Sequence, residues 1–196
     1  RYRFKYGTFV SAGITAEKDA GEEFFRGSQR QGFDFYSAHF ALRNIGKLKA
    51  LTIGDFQAQF GQGLALWTGF GFGKTADAMN VKRSGLGLKP YTSINENLFL
   101  RGVGATWALG SFEVTAFGSM KKVNTNASSI DSVSQDIQAF SNFNLSGFHR
   151  TPNELLDKGN INEQVVGGHL AWKKRNLNLG ITFADFQYSA ALTRSD

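Results

Sequence analysis

The sequence predicts an all-β protein, a transmembrane antiparallel β-barrel, from the order of its connections, its period-two patterning and its composition. Three tight turns, Ile45-Gly46-Lys47, Gly110-Ser111 and Lys174-Arg175-Asn176, alternate with long polar loops near 17–32, 62–97 and 124–160. Outer-membrane barrels have short turns on the periplasmic side and long loops outside. The 196 residues include 19 Phe, 5 Tyr and 3 Trp but only 2 Pro, which favours strands over helices.

Alternating segments predict about seven strands in a single barrel segment that covers residues 1–196. These strands span 2–16, 34–45, 48–61, 98–109, 111–123, 162–174 and 176–191. The first strand has Tyr2, Phe4 and Tyr6 on one face and Arg3 and Lys5 on the other. Such alternation is expected where one face meets lipid and the other a polar lumen. We also expect a bulge near Gly54 and a change of phase near Asp185.

An odd number of strands is unexpected, because closed bacterial barrels normally have an even number. Either an eighth strand lies within a loop, with Gln62–Phe72 as the best candidate, or the chain is a segment of a larger barrel. We favour the second alternative, because an unpaired strand edge is untenable in lipid. The opening RYRFKYGTFV also lacks the pattern of a secretory signal. A soluble β-sandwich is the structural rival.

The net charge of +6 predicts a basic lumen or a rim that meets anionic headgroups. Basic residues cluster only at Arg1, Arg3 and Lys5 and at Lys173, Lys174 and Arg175, so no nucleic acid is expected as a partner. The expected partners are membrane lipid, lipopolysaccharide and other outer-membrane proteins. The absence of Cys excludes a disulfide framework and a thiolate zinc site.

The chemical motifs are weak, and we expect no cofactor, no metal and no catalytic residue. Gly73-Lys74-Thr75 resembles the end of a phosphate-binding loop, but Thr68 stands where that loop requires its first glycine. His39, His149 and His169 lack partners at metal-ligand spacing. A hydrolase would need the fold to bring His149 together with its loop neighbours, which are Ser146, Glu154 and Asp157. Loop 124–160 has a helix-like patch at 130–140, and Asp131-Ser132-Val133 resembles an O-glycosylation signal.

Polar residues on the predicted strands form the candidate lumen wall, where such rows would set charge selectivity. The predicted lumen-lining residues are Arg3, Lys5, His39, Arg43, Asp55, Gln57, Gln59, Glu113 and Lys121. Loop 62–97 is glycine-rich and aromatic, and it is the candidate functional surface. Its basic residues are Lys74, Lys82, Arg83 and Lys89. A packed plug or rim cover is the equal alternative for this loop.

Residues 54–102, and above all FGQGLALWTG within them, resemble large Bacteroidota outer-membrane proteins of the kind labelled helix-hairpin-helix domain-containing. GFHRTPNEL at 147–155 and INEQVVGGHLAW at 161–172 extend the resemblance. It implies a barrel part of a longer chain. It carries over no catalytic residue and no role in DNA binding, because the helical part is not in this sequence.

These expectations combine into a porin-like outer-membrane β-barrel that acts as a pore or transport component. The alternative is a non-catalytic barrel subunit of a larger outer-membrane secretion or assembly complex. An enzyme is not expected.

Overall fold

The structure is a computed structural model that describes residues 1–21, 24–25, 30, 32–69, 84–130 and 136–193. Within these ranges the chain is all-β, with one short helix, α1 (Pro152–Leu156). The strands are β1 (Tyr2–Tyr6), β2 (Val10–Glu17), β3 (Phe35–Ile45), β4 (Leu48–Gln59), β5 (Gly87–Pro90), β6 (Leu100–Leu109), β7 (Phe112–Val123), β8 (Thr125–Ile130), β9 (Ile137–Phe143), β10 (Ile161–Lys174), β11 (Leu177–Tyr188) and β12 (Ala191–Leu192).

Nine strands form one antiparallel sheet, with eight in the order β1-β2-β3-β4-β6-β7-β10-β11 and β5 paired with β4 off this path. Neighbours in sequence are neighbours in space apart from the excursions of β5 and of β8 with β9, as expected of hairpin-connected strands. Within the described ranges β1 and β11 pair on one side only, and the sheet does not close into a barrel. The all-β, antiparallel prediction is confirmed at this level.

The short connections all lie at one end of the sheet, which we call the short-turn rim. The three predicted turns are present, and a fourth lies at residues 7–9. Backbone hydrogen bonds join each turn to the next hairpin, from Arg43 N–H to Phe9, from Ala108 N–H to Lys47 and from Lys173 N–H to Ser111. The long connections leave the opposite, long-loop end.

The predicted first strand, 2–16, is wrong, because the structure has a hairpin there. Tyr2 lies opposite Ile14 and Tyr6 opposite Val10, and Gly7 turns the chain with a φ of 54°. The eighth sheet strand therefore arises here and not in Gln62–Phe72. In that segment Trp67 makes one isolated bridge to Gln59, and residues 70–72 lie outside the described ranges.

Two predicted irregularities are placed differently by the structure. Gly54 has a φ of 90°, but the register shift between β4 and β6 falls between Leu48 and Ala50. A Cβ at Gly54 would lie 2.3 Å from the Ala38 carbonyl oxygen, so glycine is required where β3 approaches. The pairing of β10 with β11 continues without a shift past Asp185. Beyond Phe183 the large aromatic residues, Phe186 and Tyr188, occupy the inner face instead of the outer face, while the backbone register stays regular.

Alternation along the strands gives the sheet an outer face rich in large apolar side chains and an inner face of polar, small and some aromatic residues. One register row of the outer face runs across the strands through Phe4, Ala12, Phe40, Ile53, Val103, Gly118 and Val166. The adjacent inner row runs through Lys5, Ser11, Ala41, Thr52, Gly104, Phe117 and Gly167.

The inner face is covered by an inner segment, which we define as residues 56–69 together with 84–91. Strand β5 pairs with the end of β4, and the segment brings Phe56, Phe60 and Leu88 into one buried cluster with Phe117 of the wall. The Phe60 ring stacks on His169 with centroids 4.6 Å apart. Part of the predicted polar loop 62–97 is therefore packed filling, which contributes apolar burial of about 1.5–3 kcal/mol per large side chain.

Loop 124–160 contains regular structure that the sequence did not predict. Strands β8 and β9 form a small sheet with β12, where Phe140 is fully buried against Phe143 and Tyr188. The helix-like patch at 130–140 is wrong from Ile137 onward, where β9 begins. Residues 131–135, with the predicted glycosylation signal, lie outside the described ranges. Helix α1 follows, with a capping box between Thr151 and Glu154.

Candidate functional site

A cluster of charged residues joins three separate parts of the chain at the long-loop end. Asp34 directly precedes β3, Glu96 lies between β5 and β6, and His149 and Lys158 flank α1. His149 Nδ1 lies 2.6 Å from an Asp34 carboxylate oxygen and 4.0 Å from Glu96. Lys158 Nζ contacts the other Asp34 oxygen. We call these four residues the loop junction.

The tautomer of His149 follows from its neighbours. The Gly159 N–H donates to Asn124 Oδ1 at 2.7 Å, which turns the Asn124 amide nitrogen toward His149 Nε2 at 3.2 Å. Nε2 therefore accepts a hydrogen bond, and Nδ1 carries the proton that it donates to Asp34. Both ring nitrogens are used in holding the loops together.

The Asp34 carboxylate is only 2% exposed. Burial raises the pKa of Asp34, but the hydrogen bonds from His149 and Lys158 and the positive charge of Lys158 outweigh it and hold the pKa well below its ordinary value of 3.8. Asp34 is thus a carboxylate throughout the physiological pH range. A buried anion with two donors makes a firm connection between loops.

A cavity of about 360 Å³ adjoins the loop junction. Its lining combines charged groups of both signs with aromatic rings. The lining residues include Asp34, Glu96, Phe99, Arg101, Lys122 and His149. The lining therefore carries charges of both signs.

Ligand atoms of Asp34, Glu96 and His149 lie within 4.8 Å of one another, close enough for one cation. The donor chemistry does not fit a metal, however. Nδ1 would have to lose the proton that it gives to Asp34, and Nε2–H would then face the Asn124 NH₂ group. The Lys158 ammonium already neutralises Asp34. The loop junction is better described as an ion-pair network.

The hydrolytic constellation around His149 is not assembled. Ser146 donates to Asn144, and Glu154 closes the capping box of α1 and pairs with Arg150. Asp157 accepts from Asn144. These groups are used within their own loop, and none of the contacts described for them involves His149.

Three of the predicted lumen residues donate hydrogen bonds to carbonyl oxygens of β5 or of the connection between β5 and β6. Arg3 donates to the Thr92 carbonyl, Arg43 to Leu88 at 3.0 Å and Gln57 to Leu98 at 3.1 Å. Arg3, Arg43 and His39 belong to inner-face positions, since His39 lies opposite Gly13 and Gly54 in the register. Lys5 is also on the inner face and is exposed.

Two members of the row Asp55, Gln57 and Gln59 are buried, since Asp55 and Gln59 are 1% and 6% exposed. Phe56 and Ala58 alternate with it and take the inward positions in the buried cluster, so the polar row lies on the other side of β4. Asp55 is 1% exposed, accepts from Arg101 at 2.7 and 2.9 Å, and accepts from the Ala38 N–H.

The last two predicted wall residues are both paired. Lys121 is buried, and its ammonium donates to the carbonyl oxygens of Asn97 and Phe99 at 3.1 and 2.8 Å. Glu113 pairs with Lys173 at 2.6 Å. In the predicted loop surface, Lys89 lies in β5 opposite Gln57. Lys74, Lys82 and Arg83 lie outside the described ranges.

The outer face carries large apolar side chains that protein atoms do not cover. The exposed fractions include 61% at Phe4, 65% at Phe183 and 74% at Ile181. Others on this face with at least 40% exposure are Tyr2, Tyr6, Ile14, Tyr36, Ile53, Val103, Trp107, Leu109, Phe112, Met120, Val166, Leu170, Leu177 and Leu179. These side chains form one apolar band across the outer face from β1 to β11.

Sequence reasoning missed Asp34, Glu96, Lys158 and Asn124. Asp34 and His149 are 115 residues apart, and no local spacing relates them. The only available signal was the position of Asp34 directly before a predicted strand, since strand ends are common places for functional polar groups.

No helix in the described part of the chain has the length and apolarity that crossing a membrane would take. Comparisons with known proteins found no matching family model, no matching curated protein and no matching solved structure.

Proposed function

We propose that this chain forms part of the wall of an outer-membrane β-barrel with a filled interior and serves as a non-catalytic subunit of a larger membrane assembly. The observation that carries the proposal is the exposed apolar band on the outer face, opposite an inner face that the inner segment covers in its middle. A sheet with this division of residues suits lipid on one side and protein on the other.

The extent of the apolar band argues for lipid. Soluble monomers rarely expose contiguous apolar patches larger than a few hundred Å². Here whole strands contribute, as in β11, where Leu179, Ile181 and Phe183 are all more than half exposed. The soluble sandwich requires a second sheet over this face. Within the described ranges the second sheet, β8-β9-β12, has three short strands and belongs to the long-loop end.

The inner segment favours a filled barrel over an open pore. Phe56 is fully buried and Phe60 is 6% exposed, and both pack on Phe117 of the wall. An open pore would leave these inner-face positions to water. The outer strands β1 and β11 each have a free edge in the described sheet, and lipid requires such edges to pair with further strands. Those strands belong to the assembly partner or to more of the same barrel.

A conducting pore is the second candidate, and one observation favours it. The inner face is uncovered near the sheet edges, where Lys5 on β1 and Asn178 on β11 are exposed. Completing the barrel on that side would leave a polar path beside the filling. The resemblance of residues 54–102 to Bacteroidota barrel proteins supports the outer-membrane location under either candidate.

Quenching of tryptophan fluorescence by brominated lipid tests the membrane placement. In a variant that keeps only Trp107 (Trp67→Phe, Trp172→Phe), the outer-face ring is 43% exposed and brominated acyl chains should quench it strongly. The matched variant keeps only Trp67, which bridges Gln59 in the inner segment, and should be quenched little. Equal, weak quenching of both variants in reconstituted vesicles would refute the placement.

Planar-bilayer recordings of the native protein, purified from outer membranes, separate the two candidates. A folded protein that gives no current steps supports the filled subunit. Stable ohmic steps whose ion selectivity changes in Lys5→Glu would establish the pore instead. Lys174→Glu, a charge reversal on the outer side of the short-turn rim, is the control and should leave the selectivity unchanged.

A further inference from the structure

The positive charge of the chain is concentrated at the short-turn rim. The four turns with their flanking residues, 5–9, 43–49, 107–113 and 172–179, hold seven of the 22 basic residues and one of the 16 acidic residues. Their formal charge therefore equals the +6 of the whole chain. The rest of the sequence is formally neutral, so the whole excess of positive charge lies at the short-turn rim.

Six of these seven cations have no acidic partner in the described part of the chain. The single acidic residue, Glu113, pairs with Lys173, and Arg43 reaches a carbonyl of the inner segment. Lys5 lies on the inner face, and the four that remain are Lys47, Lys49, Lys174 and Arg175, all exposed. Lys174 lies opposite Leu177 and so belongs to the outer face, while Lys49 occupies the register shift of β4.

The four cations form two pairs on either side of the Gly110-Ser111 turn. Lys47 and Lys49 belong to the hairpin of β3 and β4, and Lys174 and Arg175 to that of β10 and β11. Three strand spacings separate β4 from β10, or about 14 Å. That distance allows each pair to contact a separate phosphate group.

Exposed apolar and aromatic side chains lie immediately beside these cations. Leu48 lies opposite Trp107, and Phe112 and Leu177 are 46% and 51% exposed. Aromatic rings with Lys and Arg at the edge of an apolar band are typical of the membrane interface, where the rings reach the headgroup level. A site for a soluble anion would not need the apolar neighbours.

We propose that the short-turn rim binds the phosphate headgroups of anionic phospholipids, with Lys47 and Lys49 as one contact and Lys174 and Arg175 as the other. This inference rests on the membrane placement proposed above. Each cation near an anionic surface contributes about fivefold in affinity at moderate salt, so the wild-type rim should select anionic over zwitterionic lipid by at least that factor.

The test uses the variant that keeps only Trp107, reconstituted in mixtures of one brominated and one unbrominated lipid. Quenching by brominated phosphatidylglycerol and by brominated phosphatidylcholine gives the relative affinity of the two lipids near the rim. We expect a ratio of about five or more for this variant. With K47Q/K49Q/K174Q/R175Q added the ratio should fall to about one, and each double variant should fall between.

R1Q/K122Q is the matched control, because it removes two exposed cations at the long-loop end and should keep the full ratio. A ratio near one in the starting variant, or an equal fall in the control, overturns the inference. Loss of selectivity on adding inorganic phosphate, compared with sodium chloride at the same ionic strength, would assign the rim to free phosphate instead. Quenching that is strong but equal for both lipids leaves the membrane placement intact, whereas no quenching by either lipid refutes the placement itself.

Discussion

Replacing Asp34 by Asn should loosen the loop junction without unfolding the sheet. The carboxylate is 2% exposed and accepts from both His149 and Lys158. In Asp34→Asn the amide oxygen can still accept from His149 Nδ1, but the NH₂ group then faces the Lys158 ammonium. The lost charge-assisted bond, at about 1.5–3 kcal/mol, sets the size of the effect. The junction belongs to loops, so we expect local opening only.

Hydrogen exchange measures that opening. The Gly159 amide, which donates to Asn124 at 2.7 Å beside His149, should exchange about 30-fold faster if about 2 kcal/mol is lost. Amides of β6 and β7 should not change. Asp157→Asn is the matched control, since its contact with Asn144 is long at 3.4 Å and Asn keeps an acceptor. Exchange at Gly159 within threefold of wild type in Asp34→Asn, or equal acceleration in both variants, would refute the role of the junction.

Three further predictions concern pH, packing and backbone geometry. The folded-state pKa of Asp34 lies below its ordinary value of 3.8, so the amides of the loop junction should be fully protected from exchange above pH 3.8. Their protection should be lost as the pH falls through the folded-state pKa of Asp34. Hydrogen exchange measured against pH shows this step, and Asp34→Asn should lack it. Phe56→Ala, at a fully buried position, should lower the free energy of unfolding by about 3–5 kcal/mol, whereas Phe183→Ala, 65% exposed on the outer face, should cost much less in urea unfolding from vesicles. Gly54→Ala places a Cβ 2.3 Å from a backbone oxygen, whereas in Gly46→Ala no atom lies within 4 Å of the new Cβ and only the left-handed strain of about 1–2 kcal/mol applies. Gly54→Ala should therefore reduce the folded fraction far more than Gly46→Ala. Heat-modifiable migration measures that fraction.

Alternation and turn spacing could be predicted from the sequence because both are local. The sequence did not predict the hairpin of β1 and β2, and the reason is geometric. Tyr6 and Val10 are opposite each other across a three-residue turn, so the positions that face outward keep the same even numbering on both strands. A period-two pattern therefore continues through the turn unchanged. Gly7 was the one local signal, and Phe9 broke the pattern because it lies in the turn itself.

The interior could not be predicted, because its contacts are not local. Phe56 and Phe60 alternate with a polar row. Alternation shows that the two rows face opposite sides of the strand, but it does not show which row faces the buried interior. The inner segment decides it by pairing β5 with the end of β4. In the same way, Ile137 begins a strand because Phe140 packs on Tyr188, which lies far along the chain from the helix-like pattern.

The order of the strands has a consequence for how this sheet can grow. Seven antiparallel pairings separate β1 from β11, so the two outermost strands run in opposite directions. Any even number of added strands, or none, can therefore join the two edges with every neighbour antiparallel, whereas an odd number would force one parallel pair. The hairpin is thus the natural unit of extension, and a second eight-strand sheet of the same design would match both edges in direction.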